Sequence, residues 1–304
     1  MFCTRILTRA FTMANTFGVE HDEKMKPLIE IWRRFLRRRS AVLGLALLSI
    51  LVALSLAAPL ITPHDPEKLK LSQALIAPSA QFPLGTDHLG RDLVARLLYG
   101  ARLSLVIGFL AVAMGLAVGV PFGALSGYYG GWIDLIIQRI ADVLLSFPTF
   151  LLALSLVAIL GVGLQNVIIS VGISAIPSFI RIVRSSVLTI REQTYVEAAR
   201  AVGMRDSKII LLHVLPNAMA PVIVQATLNL GTAILIAAGL GFLGLGVQPP
   251  TPEWGSMLGE GRNYIFSHGY MATFPGLAIF CAVLSFNLLG DGLRDALDPR
   301  LRRM

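Results

Sequence analysis

The chain has 304 residues, of which 55% are apolar and only 14% charged, with a mean hydropathy of +0.72 and a net charge of +8. An ordinary soluble domain carries about 25% charged residues. The composition excludes a disordered chain, a collagen-like chain and a soluble enzyme with a wet surface, and it points to a chain whose solvent is mostly lipid.

The N-terminal arm is polar and irregular, and Met13 and Met25 are alternative start positions. A basic cluster (Arg33, Arg34, Arg37, Arg38, Arg39) then precedes an uncharged run from Ala41 to Ile61. A bilayer core about 30 Å thick needs about 20 apolar residues in a helix. The run is too long and begins too deep in the chain for a signal peptide, so it reads as a retained first span.

Between this span and the next lies an outer segment. Gly85, Thr86, Asp87, Gly90, Arg91 and Asp92 make it turn-like, because Asp and Thr can hydrogen-bond the local backbone. A helix beginning at Asp92 would put Val94, Leu97, Leu98 and Ala101 on an apolar side and Arg91, Arg96 and Arg102 at polar positions. Such a helix suits the membrane interface.

Five more spans follow. They are Leu103 to about Leu125, about Ile140 to Leu160 with Pro148 inside, about Val167 to Ile180 with Pro177 inside, about Ala218 to Leu240, and about Met271 to Leu289. Six spans put both termini on one side. With the N-terminus in the cytoplasm, twenty of the 26 Lys and Arg residues fall inside and six outside, which is the positive-inside pattern. The positive charge is then an orientation signal, and no nucleic-acid partner is expected. The organisation follows as a cytoplasmic N-terminal segment (1–39), the first span with the outer segment (40–102), a core with five spans (103–291) and a cytoplasmic tail (292–304).

Two polar stripes mark the spans. Asn166, Ser170, Ser174 and Ser178 recur every fourth residue, and Gln225, Asn229 and Thr232 share one helix face. Either stripe lines a wet substrate passage or packs helices through small, hydrogen-bonding residues. Asp134, Arg139 and Asp142 read as a salt-bridged interface near the inner end of the third span.

The loop between spans four and five is the most informative stretch. Thr194 and Glu197 have capping-box spacing, Ala198, Ala199 and Ala201 are strong helix formers, and Gly203 suits the left-handed end of a helix. Asp206 or Ser207 can cap a second helix that runs through Pro216 into the fifth span. A short helix with a flat alanine face, a glycine turn and a rigid link to a span make a mechanical coupler. Partner motion would be passed to the membrane helix.

This spacing of Glu197, Ala198, Ala199, Gly203, His213, Leu215 and Pro216 resembles the EAA loop of ABC-importer permeases. His213 stands where the general pattern often has Ile, and the peptide-type branch resembles this chain there. Gly85 to Asp92 is similar to the Gly-Thr-Asp-x-x-Gly-Arg-Asp signature of one permease type in dipeptide, oligopeptide and nickel importers. Gly239 to Gly255 resembles the same branch. The resemblance covers nearly the whole chain after the N-terminal arm.

The resemblance implies an all-α, polytopic permease subunit with six transmembrane helices and a cytoplasmic EAA-type coupling helix, set in the cytoplasmic (inner) membrane with both termini inside. It implies a second homologous permease chain, two ATP-binding subunits that hold ATP and Mg, and an extracytoplasmic substrate-binding protein. Substrate would move inward by alternating access. Di- and oligopeptides are the expected substrates, with nickel or another small solute as the alternative.

The residues fit that expectation. Gly239, Gly241 and Gly244 satisfy a dinucleotide-binding pattern, with Glu260 near the acidic position, but an apolar span precedes them and a proline-rich turn follows. They suit close packing or a bend instead. The chain has no GxxxxGK[ST] loop, so ATP belongs to another chain, and no cofactor or metal is expected here. The five His residues are scattered, with His88 and His268 both in outer loops, and Cys3 and Cys281 make no ligand spacing or disulfide framework. An ion-driven carrier would need carboxylates at depth, which are missing. An intramembrane enzyme would need a nucleophile with its base, and none is evident. The chain reads as a transport subunit without catalytic residues.

Overall fold

The computed structural model describes residue 30 and residues 32–297. The polar arm, the alternative starts, Cys3 and the end of the basic tail lie outside the described residues. Nine helices of eight residues or more are named here: α1 (Arg39–Leu56), α2 (Leu93–Tyr129), α3 (Gly131–Leu145), α4 (Thr149–Leu160), α5 (Leu164–Arg191), α6 (Thr194–Ala201), α7 (Asp206–Phe242), α8 (Trp254–Gly261) and α9 (Tyr270–Leu297). Among the described residues there is no strand, only an isolated bridge between Thr86 and Asp92.

Helix α1 ends at Leu56, and a further turn covers Ala58–Ile61. It packs on α9 through small residues. A Cβ added at Gly44 would lie 2.8 Å from Leu288 Cβ, and one at Gly292 would lie 2.3 Å from Ala41 Cβ. Lipid offers no hydrophobic drive between helices, so close backbone approach supplies the contact.

The spine of the fold is α2 against α5. Gly115, Gly119, Gly123 and Gly127 recur every fourth residue on α2 and receive Phe179, Ile180, Val183 and Val187 in order. The sequence reading gave these glycines no role. The contacts ascend together, so α2 and α5 run parallel. The segment between them must therefore run back along the bundle. That segment holds α3 and α4, an apolar pair bent by 88° at the break that contains Pro148. The described helices thus include five that are long and apolar enough to span, and six spans when the bent pair is counted as one. Arg38 Nε lies 3.4 Å from Asp295 Oδ2, so α1 begins and α9 ends at the same end of the bundle. That end also carries α6.

Several expected boundaries move. The second span begins at Leu93 rather than Leu103, and its 37 residues make a rod about 55 Å long. The separate interfacial helix does not exist, because residues 93–102 are the first turns of α2. The charged start of the third span is already helical from Gly131. The bidentate pair of Arg184 with Asp134 and the 2.7 Å pair of Arg181 with Asp142 hold it against α5. The fourth span extends over Leu164–Arg191. A π-helical segment, Ile210–Val214, sits inside α7 just before Leu215 and Pro216.

Candidate functional site

At the end opposite α6, the residues of the outer signature form a buried polar network. Asp87 Oδ1 accepts the backbone N–H groups of Leu89 and Arg91 at 2.9 and 2.8 Å. Its Oδ2 accepts Nε of Arg91, whose Nη2 donates to Glu260 Oε2 at 2.8 Å. Arg96 lies 3.5 Å from both carboxylates and donates Nη1 to the carbonyls of Pro66 and Pro250. Both guanidinium groups are only 1% exposed. Two cations balance two carboxylates, which is how charged groups remain buried. Arg91 and Arg96, expected at the polar positions of an interfacial helix, are instead buried, because Asp87 and Glu260 neutralise them inside the fold.

The remaining signature residues hold the backbone. Asp92 Oδ1 caps α2 by accepting Val94 N–H at 3.0 Å, and Oδ2 faces His64 Nδ1 at 2.9 Å. Thr86 Oγ1 donates to the Gln73 carbonyl at 2.6 Å and accepts Ile76 N–H at 2.9 Å. Gly85 and Gly90 have φ of +81° and +74°. A Cβ at Gly90 would lie 1.9 Å from the Lys70 carbonyl oxygen.

Ligand-type atoms of Asp87, His88 and Glu260 lie within 4.8 Å of one another. A cation there would face Arg91 and Arg96, so the cluster is an ion-pair network. His88 stacks on Tyr264 and His268 packs edge-on to Tyr270.

Helix α8 joins the same platform. Glu253, overlooked in the sequence reading, is 2% exposed and caps α8. It accepts Gly255 N–H at 2.7 Å, Ser256 N–H at 2.8 Å and the Ser104 hydroxyl at 3.2 Å. Burial pushes its carboxyl above the ordinary range, against the pull of these donors. Trp254 Nε1 donates to the Leu97 carbonyl at 3.0 Å. Gly241 lies against Glu253 and Ser256, and Gly239 against Phe150. These two glycines therefore serve close packing.

At the other end, α6 begins at Thr194 as expected, but no capping box forms. The capping position is Gln193, with no side-chain bond. The far end matches the expectation. Gly203 has φ of +78°, its N–H donates to the Arg200 carbonyl at 2.9 Å, and Met204 N–H donates to the Ala199 carbonyl at 3.1 Å. These are the two bonds of a Schellman motif. Asp206 is the first residue of α7 rather than its cap, because its carboxylate is used elsewhere: it accepts the Tyr128 hydroxyl at 2.7 Å.

The alanine face is divided. Val196 and Ala199 are buried against the bundle, whereas Tyr195, Glu197, Ala198, Ala201 and Val202 face out. His213 lies in the π segment, and its carbonyl accepts Asn217 Nδ2 at 2.7 Å. A proline lacks an N–H and crowds the carbonyl four residues back. Pro216 lies one residue past the π segment, where it removes a backbone donor from the ladder.

The stripes separate in the structure. Ser170 and Ser174 are buried, and Ser174 bonds its own helix at the Val171 carbonyl. Asn166 Nδ2 holds the turn before α5 by donating to the Leu160 and Gly161 carbonyls. On α7, Gln225 Nε2 donates to Asn229 Oδ1 at 3.3 Å, and Asn229 Nδ2 donates to Ser178 Oγ on α5 at 3.2 Å. Gln225 also lines a cavity of about 640 Å³ with Asn217, Leu228 and Arg294. Thr232 is exposed farther along α7. Toward the opposite end an apolar groove of about 560 Å³ runs between α7 and α9, lined by Leu235, Gly239, Phe242, Gly276 and Phe280.

The chain was compared with known proteins. The family model for "binding-protein-dependent transport system inner membrane component" matches residues 119–303. That for the "N-terminal TM domain of oligopeptide transport permease C" matches residues 26–78. A dipeptide transport system permease protein of Alkalihalophilus pseudofirmus is 48% identical over 91% of each chain. A glutathione transport system permease protein of Pectobacterium atrosepticum is 45% identical over 97% of this chain and 98% of its own. A solved inward-facing methionine ABC transporter shares the fold, with a TM-score of 0.54 and 24% identity over 67% of this chain and 96% of that one.

Proposed function

Because this chain belongs to the family of binding-protein-dependent transport system inner membrane components, multi-pass permease subunits of ATP-driven importers, we propose that it carries di- and oligopeptides inward by alternating access. ATP hydrolysis resides in separate subunits of this family. The reading for this chain has two ATP-binding subunits against the α6 end, a second related permease beside it and a substrate-binding protein on the signature end. The α6 end is then cytoplasmic, in line with its basic residues.

The carrying observation is the outward face of α6. Tyr195, Glu197, Ala198, Ala201 and Val202 are displayed on a helix whose exit is fixed by Gly203 and which continues into α7. In this reading the ATPases close on ATP binding and push this face. The push passes along α7, whose Gln225 and Asn229 line the inner part of the path with Thr232 beyond them. The outer signature holds the platform on which the binding protein sits. His213, Leu215 and Pro216 shape the bend between loop and span. The peptide assignment follows the relatives named for dipeptide and glutathione transport.

The test is reconstitution with the partner subunits in liposomes. Labelled dipeptide or glutathione should accumulate only with ATP and the binding protein. Glu197→Ala and Gly203→Val should weaken ATPase association. Uptake of a nickel chelate without peptide uptake would overturn the substrate assignment, and uptake driven by an ion gradient without ATPases would overturn the importer reading of this chain.

A further inference from the structure

The last turn of α2 meets three other helices at the α6 end. Arg191, the last residue of α5, donates Nη1 to the carbonyls of Gly127 and Tyr128 at 2.9 and 3.3 Å. Arg200 of α6 lies 5.0 Å above the Tyr128 ring and donates Nε to its hydroxyl at 3.3 Å. That hydroxyl donates to Asp206 Oδ1, on the first residue of α7, at 2.7 Å. The Tyr128 side chain is 5% exposed and packs with Val196, Ala199, Ile209 and Val214. One phenol thus accepts from α6, donates to α7 and belongs to α2.

A covalent path from α6 to α7 already exists, through Gly203 and the two residues that follow. Two backbone bonds set the direction of that turn, but no side chain braces it: no atom lies within 4 Å of a Cβ placed at Gly203. Movement of α6 by itself could be absorbed at that turn. The Tyr128 contacts bypass the turn, because they tie the C-terminal end of α6 directly to the start of α7 and to α2. Helix α2 is in turn locked to α5 by its glycine row.

We infer that Tyr128 is a positioning residue for transport: its hydroxyl, held between Arg200 and Asp206, makes α2, α5, α6 and the start of α7 respond to the ATPases as one body. The inference rests on the reading of α6 as the element that receives the ATPases. Without the hydroxyl, α6 still docks and ATP is still hydrolysed, but part of each stroke is lost at the Gly203 turn.

The experiment is the ratio of peptide transported to ATP hydrolysed by the complete complex in liposomes. Tyr128→Phe keeps the ring in its apolar surroundings and removes only the two hydrogen bonds. It should lower the ratio by about three- to tenfold, the scale of one or two net hydrogen bonds, with complex assembly intact. Tyr129→Phe is the control, since the Tyr129 ring packs edge-on against Tyr128 while the residue is 46% exposed.

A second pair guards against misfolding. Asp206→Ala, at an exposed position, should reproduce the loss, and Asp206→Asn, which keeps an acceptor for the hydroxyl, should restore most of it. The double variant Tyr128→Phe with Asp206→Ala should be no worse than either alone. An unchanged ratio in both Tyr128→Phe and Asp206→Ala, with ATPase association still lost in Glu197→Ala, overturns this inference and leaves the α6 reading standing. Normal association and transport in both Glu197→Ala and Gly203→Val overturns the two together.

Discussion

Arg91 and Glu260 meet at 2.8 Å across 169 positions of sequence, joining the segment before α2 to the end of α8. The pair is buried on the arginine side, with Asp87 and Arg96 completing it.

Removing one member of this network should cost far more than removing a surface ion pair. Arg91→Ala leaves Asp87 and Glu260 short of a cation in a buried site, and breaking such a pair costs about 3 to 5 kcal/mol. Glu260→Ala should also destabilise, by a smaller amount because its carboxylate is partly exposed. The double variant should be milder than the sum of the singles, because neither leaves the other unpaired. Midpoints of detergent or thermal unfolding for the four proteins provide the check. Strict additivity would show that the two residues act independently.

Two glycines with nearly the same φ should respond differently to alanine. Gly90 is at +74° and Gly203 at +78°. At Gly203 the space is open, so Gly203→Ala carries only the left-handed penalty of about 1 to 2 kcal/mol. Because that is local to an exposed turn, the bundle should fold. At Gly90 the new Cβ would meet the Lys70 carbonyl oxygen at 1.9 Å, so Gly90→Ala must displace the backbone of the outer segment. Limited proteolysis should cut residues 62–92 of Gly90→Ala readily and leave that segment of Gly203→Ala protected.

The contrast explains what was legible in the sequence. Runs of uncharged residues revealed the spans because lipid imposes their length. Gly203 was legible because a helix end has a local chemical signature. The buried arginines were not, since Arg91 and Arg96 look solvated until Glu260 arrives from a distant helix. The same holds for Tyr128, whose partners lie 72 and 78 residues away. The helix start at Asp92 was legible, but its continuity with the second span was not, because Arg96 and Arg102 interrupt the uncharged run and find their partners only in the folded chain. The glycine row of α2 had a readable period, and four glycines spaced by four were a packing signal that went unused.

Gln225 and Asn229 share a helix face but should not behave alike. Asn229 reaches Ser178 across the α5 interface, whereas Gln225 opens on the cavity with Asn217 and Arg294. Gln225→Leu should lower peptide uptake while leaving the unfolding midpoint nearly unchanged. Asn229→Leu should lower the midpoint as well, by the equivalent of about 1 kcal/mol for a lost interhelical hydrogen bond. Unchanged uptake in Gln225→Leu would remove it from the path.

The last prediction concerns acid. Glu253 is the deeply buried carboxyl at the cap of α8, and burial holds its folded-state pKa above the ordinary value of about 4.5. For a carboxyl raised on folding, the native state binds the proton more tightly than the unfolded state. Stability from this group is therefore greatest below its unfolded pKa. It declines as pH rises from about 4.5 through the folded value, and above that it is constant. Gly255, Ser256 and Ser104 all donate to the carboxyl oxygens and oppose that rise in pKa. Glu253→Gln keeps an acceptor for the cap and abolishes the titration. Unfolding midpoints from pH 8 down to pH 5 should fall more slowly, or rise, in the wild type relative to Glu253→Gln. Parallel curves for the two proteins would mean that Glu253 does not change its protonation on folding.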